Sequence, residues 1–282
     1  MAQGRLARSP ADLESSLLSP WSSISAQRMA NLSVPAKWQI LLTVLPLTAL
    51  YGAVKVALHR LGWEPWAFDS LTGSLFGAAT FVIAFVLNGT LGDFRASADM
   101  PMQLAKALET IQDSNQLVAR ANAEYDPAPL TQDLLAIAQT TLDWLQSQQP
   151  QAETAIAIDR LNTSLAAMLP YAGAPIVARA QAEQANVRLL LTQIGISRDT
   201  EFVGPAYVLL ELFLIGAVAA LLLIGADSFS ENLVVSCLLF TSFTYLLLLI
   251  RDLDNPFQYD GRSSVEADLT TLVALRDRLQ QG

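Results

Sequence analysis

The sequence SLTGSLFGAATFVIAFVLNGTLG, residues 70–92, decides the fold class because its 23 residues include no charged side chain. About 20 consecutive apolar residues are enough to cross the hydrocarbon core of a bilayer as an α-helix. A soluble domain rarely contains such a run. The stretch therefore predicts a transmembrane helix.

Three further apolar stretches predict additional membrane spans, at residues 38–58, 202–226 and 232–250. Trp38 lies at the start of the first stretch, and Trp63 and Trp66 follow its end, as is typical of aromatic residues at membrane interfaces. We therefore expect two transmembrane helices within residues 38–92 and two more within residues 201–250.

The rest of the chain is predicted to be helical and cytoplasmic. In residues 93–200 apolar side chains recur at helical spacing, and the stretch is divided into about four helices by Pro127, Pro129, Pro150, Pro170 and Pro175. Residues 1–37 would form an N-terminal arm. Residues 251–282 would carry a tail helix that starts at Ser263, where Ser263 and Glu266 have the spacing of a capping box. The fold class is all-α, a polytopic membrane protein with four transmembrane helices and a helical cytoplasmic domain.

Composition excludes several classes of protein. The chain is 52% hydrophobic and only 15% charged, against about a quarter charged residues in soluble domains. Its net charge of −9, from 17 basic and 26 acidic residues, argues against nucleic-acid binding. A single cysteine, Cys237, and a single histidine, His59, cannot form an internal disulfide, a histidine-rich metal site or a Ser-His-Asp triad. We therefore expect no metal, no cofactor and no enzymatic activity.

The basic residues predict the orientation in the membrane. Fifteen of the 17 lie in residues 1–37, 93–200 and 251–282, and only Lys55 and Arg60 lie near an outer loop. Because cytoplasmic segments are enriched in Lys and Arg, both termini and the central domain are predicted to be cytoplasmic. Lys55 is expected to snorkel to the outer interface. The plasma membrane and an internal membrane, such as the thylakoid, are both compatible with this pattern.

A stripe of small and aromatic residues runs along one face of the second predicted span. It consists of Gly73, Gly77, Phe81, Phe85 and Gly89, which recur every four residues. In one interpretation the glycines let a neighbouring helix approach closely. In the other, several copies of the helix surround an axis, and the phenylalanines form apolar rings of the kind that gate pores. Next to the stripe, the amide of Asn88 could serve a passing anion or a neighbouring backbone group.

Glu211 is the one acidic residue well inside a predicted span. A carboxylate in the membrane is costly unless it is paired, protonated or exposed to water. Tyr207, one turn away, could donate a hydrogen bond to it. Glu211 lines a vestibule or titrates as a gate in the functional interpretation. In the structural one it is protonated and bonded to a neighbouring helix, or lies nearer the interface.

Two motifs in this order resemble those of bestrophins. Residues 80–85, Thr-Phe-Val-Ile-Ala-Phe, followed by Met-Pro at 100–101, are similar to the second transmembrane helix of that family. The sequence Asp254-Asn255-Pro256-Phe257 contains the Asn-Pro-Phe that follows the last membrane helix of bestrophins. Where the calcium-gated animal members continue with an acidic run, residues 258–262 here read Gln-Tyr-Asp-Gly-Arg, so the resemblance implies no calcium clasp.

The resemblance implies a homopentameric anion channel. Its central pore would be lined by the second span, with Phe81 and Phe85 as two rings of a hydrophobic neck and Gly77 at the third neck position. It would conduct inorganic anions, chloride or bicarbonate, passively, and its other partners would be membrane lipids. The alternative is a non-conducting membrane scaffold whose cytoplasmic helices bind a partner protein. One difficulty for an anion channel is that residues 93–200 hold 12 acidic and only 7 basic residues.

Overall fold

The computed structural model describes residues 34–147, 152–199, 204–259, 263 and 265–281. These residues form nine α-helices and one pair of two-residue strands. In chain order the elements are α1 (Val34–Arg60), β1 (Trp66–Ala67), α2 (Ser70–Ala98), α3 (Met100–Ala121), α4 (Ala128–Ser147), α5 (Ala152–Met168), α6 (Ala174–Asp199), α7 (Gly204–Leu223), β2 (Ile224–Gly225), α8 (Phe229–Asp254) and α9 (Thr270–Gln281).

Four apolar helices, α1, α2, α7 and α8, form what we call the membrane bundle. By length and composition, three stretches of the described chain can cross a bilayer: Trp38–Arg60, the helical stretch that starts at Ser70, and Phe229–Asp254. A shorter apolar helix, Tyr207–Leu223, lies within the third predicted span. In the bundle α2 packs on α7 and α8, and α1 packs mainly on α8. The chain is therefore an all-α integral membrane protein.

Helix α2 has a well-defined start and runs further than hydropathy alone indicates. A reciprocal capping box fixes its N-terminus: Thr72 N–H donates to Asp69 Oδ1, and Asp69 N–H donates to Thr72 Oγ1, both at 2.8 Å. The helix continues to Ala98, beyond the predicted limit at Gly92. It therefore reaches from the membrane bundle into the polar part of the chain.

The remaining helices, α3–α6 and α9, form a second bundle, here called the helical domain. Helix α3 packs against α6, α4 packs against α5, and α9 lies across α3 and α4. Its core is made of fully buried aliphatic side chains contributed by all of these helices, including Leu104, Ile111, Leu134, Leu161, Ile194 and Leu272. The buried positions repeat with the helical period from which these helices were predicted.

The tail helix begins at Thr270 and not at Ser263, so the predicted start is wrong. The Ser263 hydroxyl donates to the Val265 carbonyl at 2.8 Å, which ties it to an extended segment. Ala267 N–H donates to the Pro256 carbonyl at 2.8 Å, and Asp268 Oδ1 accepts from Thr270 N–H at 2.9 Å. Asp268 is thus the residue that caps α9. The apolar side chains of α9 dock on the helical domain, with Leu272, Leu275 and Leu279 buried.

Two predictions fall outside the described residues. One is the conformation of the N-terminal arm, of which only residues 34–37 are described, as the first turn of α1. The other concerns residues 260–262, where the acidic run of the calcium clasp would start.

Candidate functional site

The two faces of α2 have opposite environments. Its aliphatic face is buried in the membrane bundle, where Ala79, Ile83 and Val86 pack in one cluster with Leu210 of α7 and Phe243 of α8. Burial of these side chains fixes the rotation of α2 about its own axis. The opposite face is consequently held away from the bundle.

That opposite face carries the predicted pore residues. Phe81 and Phe85 are 71% and 73% exposed, and Gly77 and Asn88 are exposed beside them. In a membrane helix, an uncovered apolar face meets either lipid or another protein surface. The structure therefore places Phe81, Phe85, Gly77 and Asn88 on one uncovered helix face, here called the α2 face.

The glycines of the stripe make no close helix contact within the described chain. A Cβ added at Gly77 would meet no atom within 4 Å, and one added at Gly73 would lie 3.8 Å from Phe68 Cζ, a side chain of the preceding loop. Any close approach at these glycines would therefore have to involve another molecule.

Glu211 of α7 pairs with a basic residue that the sequence analysis did not name as its partner. Arg251 near the end of α8 donates from its guanidinium to Glu211 Oε1 at 2.6 Å. The two side chains are 41% and 57% exposed. Pairing lowers the cost of a carboxylate in a membrane helix. The two residues are 40 positions apart, so no local spacing could have indicated the contact.

The Asn-Pro-Phe segment joins the membrane bundle to the helical domain. Asn255 Nδ2 donates to the Arg198 carbonyl at 3.0 Å, and Asn255 Oδ1 accepts from Phe257 N–H at 3.1 Å. Phe257 is buried in the core of the helical domain, and Asp254 before it is half-buried. Asn255 thus links the chain that leaves α8 to the chain that ends α6.

Arg198 extends this joint into the helical domain. Its guanidinium donates to the Trp144 carbonyl at 2.8 Å and lies 5.4 Å from the centroid of the Trp144 ring. This geometry is a cation–π contact. The segment from Asp254 to Phe257 therefore holds the two bundles in a fixed relation.

At the other end of the bundle lies a buried ionic cluster that the sequence analysis missed. Lys55 is fully buried, so its predicted snorkelling is wrong. Its ammonium donates to the carbonyls of Leu222, in the last turn of α7, and Ile224, the first residue of β2, and lies 3.0 Å from Glu64 Oε1. Uncapped carbonyls at a helix C-terminus favour a cation at that position. The signal in the sequence is the spacing of Lys55 and His59, which places both on one side of α1, ahead of Glu64.

His59 completes this cluster. Its Nδ1 lies 2.8 Å from Glu64 Oε2, and its ring stacks on Phe229 with centroids 3.8 Å apart. Burial would raise the pKa of the Glu64 carboxyl, but hydrogen bonds from His59 and Lys55 outweigh burial and lower the pKa. Strand β1 pairs in parallel with β2 beside the cluster, matching Trp66 to Ile224. The loop after α1 is thereby fixed to the end of α7.

The described residues contain no group of three or more His, Cys, Asp or Glu side chains arranged to hold a metal ion. The main features of these residues are the α2 face, the Asn-Pro-Phe segment, and the ionic cluster of Lys55, His59 and Glu64. The arrangement offers an uncovered, partly aromatic helix surface that carries no charged side chain between Gly73 and Gly89.

Comparison with known proteins supports the fold assignment through structure and not through sequence. No protein-family model matches the sequence, and no curated protein matches it significantly. Two solved structures of a bacterial bestrophin homologue from Klebsiella pneumoniae, each carrying a mutation, superpose with TM-scores of 0.68 and 0.64 at 12% and 14% identity. They cover 86% and 88% of this chain, which in turn spans 98% and 97% of theirs.

A further solved structure, described only as a membrane protein, superposes with a TM-score of 0.70 at 11% identity and covers 84% of this chain and 96% of its own. These identities are low, but the superposition extends over nearly the full length of each neighbour. It includes both the membrane bundle and the helical domain. This chain therefore has the bestrophin fold.

Proposed function

We propose that this protein is a subunit of an anion channel that conducts chloride or bicarbonate passively through a central pore lined by α2. The observation that carries the proposal is the α2 face: an exposed stripe with two phenylalanines on a membrane helix whose other face is packed in the bundle. The bestrophin fold and the resemblance of residues 80–85 to the pore helix of that family support it.

A pore of this design needs several copies of α2 around one axis, and we propose a homopentamer. The open space at Gly77 and the exposure of Phe81 and Phe85 are compatible with an α2 face turned toward the axis. Five Phe81 and five Phe85 side chains would then form two apolar rings. Gly77 would leave the channel wider on the outer side of these rings.

Aromatic rings can favour anions over cations without carrying charge. The face of a phenyl ring is weakly negative and its edge weakly positive. Rings that present their edges to the axis would attract a partly dehydrated anion. A narrow apolar constriction also gates by expelling water. The Asn88 amide, one turn below the rings, would offer an N–H donor to the emerging anion.

The test is ion flux into liposomes that contain the purified protein. Wild-type protein should carry chloride down its gradient. Phe81→Ala/Phe85→Ala should raise the rate of chloride flux because the constriction is widened. Leu50→Ala, at a 63% exposed site on α1, is the control and should leave flux unchanged. The absence of flux in both the wild type and the double variant would contradict the proposal. A native mass that corresponds to a monomer or a dimer would also contradict the proposal.

The scaffold alternative draws on a different surface. The helical domain exposes Ile156 on α5 and Leu189 and Ile196 on α6, of which the last two are seven residues apart and lie on one side of the helix. A partner helix could cover them. If the protein is a scaffold, the wild type should show no flux and should bind a partner protein. The variant Leu189→Asp/Ile196→Asp should lose that partner, and this result would separate a scaffold from a channel.

A further inference from the structure

We infer that Arg95 supplies the first ring of fixed charge below the neck and sets the preference of the pore for anions. The inference rests on the proposed function, and it addresses the acidic composition of the helical domain. Helix α2 continues past the predicted boundary at Gly92, so Arg95 belongs to the same helix as Phe81 and Phe85.

Arg95 lies on the α2 face. At about 100° per residue, Asn88, Gly92 and Arg95 fall within about 40° of the line through Phe81 along the helix. All three are exposed. On the opposite side, Ser97 is buried, and its hydroxyl lies 3.1 Å from the hydroxyl of Ser197 in α6. This contact fixes the rotation of the last turn and therefore keeps Arg95 on the exposed side.

The segment between the neck and Arg95 is unobstructed. Ten residues at 1.5 Å each place the Arg95 backbone about 15 Å below Phe85. A Cβ added at Gly89 or Gly92 would meet no atom within 4 Å, so this part of the face carries little bulk. Side chains on a helix lean toward its N-terminus, which for Arg95 is the direction of Phe85. The Cα–Cβ bond of Arg95 is thus tilted toward the neck, and the guanidinium can reach in that direction.

Arg95 is also available to an ion. Among the described residues it has no ion-pair partner, whereas Arg188, Arg251 and Arg278 are each paired with a carboxylate. Between Phe85 and Met100 the other charged side chains are two exposed acids, Asp93 and Asp99. Asp93 is turned about 120° from Phe81. Asp99 falls on the same line as Phe81, one turn beyond Arg95 and further from the neck. Along the axis an ion leaving the neck would therefore meet the cation before Asp99.

Position relative to the passage decides which of these charges acts on the neck. At physiological ionic strength the Debye length is about 8 Å, so charges that face open solvent, including the acids spread over the helical domain, are largely screened at the neck. Charges that line a narrow passage act more strongly, because its apolar walls focus their field. A ring of five Arg95 guanidiniums can therefore outweigh a more distant acidic surface.

The test measures anion-to-cation permeability ratios from reversal potentials in planar bilayers under a potassium chloride gradient. The wild type should favour chloride, and Arg95→Gln should lower the ratio by about tenfold, since focused charge changes local ion concentration at least that much. Arg95→Lys should retain the ratio. Asp99→Asn should raise it. Arg160→Gln, an exposed arginine on α5, is the matched control and should have no effect.

The outcomes separate the inference from the function on which it rests. Conducting Arg95→Gln channels with an unchanged ratio would overturn the role of Arg95 and leave the channel intact. A wild-type preference for cations would overturn it as well. No conduction by wild-type protein that assembles normally would overturn both the role of Arg95 and the proposed function. Native mass measurement of each variant ensures that a changed ratio comes from assembled channels.

Discussion

At the residue scale, the environment of Lys55 could not be predicted from the local sequence. Its position near the end of an apolar stretch predicts a lysine that extends to the membrane surface, yet it is fully buried and satisfied by two carbonyls and Glu64. The carbonyls belong to Leu222 in α7 and Ile224 in β2, about 170 residues later in the chain. No local pattern encodes a contact of that separation, whereas the exposed Phe81 and Phe85 could be assigned to one face from their spacing alone.

Replacing Lys55 by methionine should destabilise the protein by about 3 kcal/mol, because it leaves the Glu64 charge and two carbonyls without their partner. The thermal unfolding temperature in detergent should fall accordingly. Lys55→Met/Glu64→Gln should recover part of the loss, since the unpaired carboxylate is then removed. Equal unfolding temperatures for Lys55→Met and the wild type would show that the buried pair contributes nothing to stability.

At the element scale, hydropathy located the membrane helices but not where they end. The first charge after residues 70–92 is Asp93, and it suggested a boundary at Gly92. An α-helix does not stop at a charged residue, however, and α2 continues until Ala98. Its start was readable in principle, because Asp69 and Thr72 have the spacing of a cap. The start of α9 was misplaced because Ser263 bonds within an extended segment.

The open space at Gly77 leads to a prediction about α2. Gly77→Leu should reduce chloride flux severalfold, because it adds a third apolar ring to the proposed neck, while the fold is retained and the helix gains up to about 1 kcal/mol from the loss of glycine. Gly216→Leu on α7 is the matched control, since a Cβ there also meets no atom within 4 Å. Equal flux in the two variants would mean that Gly77 does not face the pore.

At the scale of the whole molecule, Asn255 and Phe257 form one connection between the two bundles, in addition to the contact of Ser97 with Ser197. The sequence marked this segment through its resemblance to a family motif, but the resemblance did not say what the motif does. The structure gives it a mechanical role: one amide side chain connects the end of α8 to the end of α6, and one buried ring anchors the segment in the helical domain.

Asn255→Ala should therefore destabilise the joint by about 1–3 kcal/mol, because it leaves a carbonyl and an N–H without partners. Asn255→Asp keeps the acceptor for Phe257 N–H but loses the donor to Arg198, so its effect should be intermediate. Limited proteolysis between α8 and α9 measures the loosening. Identical cleavage rates for wild type and both variants would contradict the role of this side chain.

Some helices of the membrane bundle that pack on one another are synthesised far apart in time. Helices α1 and α2 precede residues 99–203, and their partners α7 and α8 follow them. During synthesis the first two spans must therefore enter the bilayer before α7 and α8 exist. The face of α2 that finally packs in the bundle is aliphatic, and its Thr90 hydroxyl donates to the Val86 carbonyl of the same helix. The contact surface of α2 therefore exposes no unpaired polar group to lipid, and lipid can cover this face until α7 and α8 are inserted.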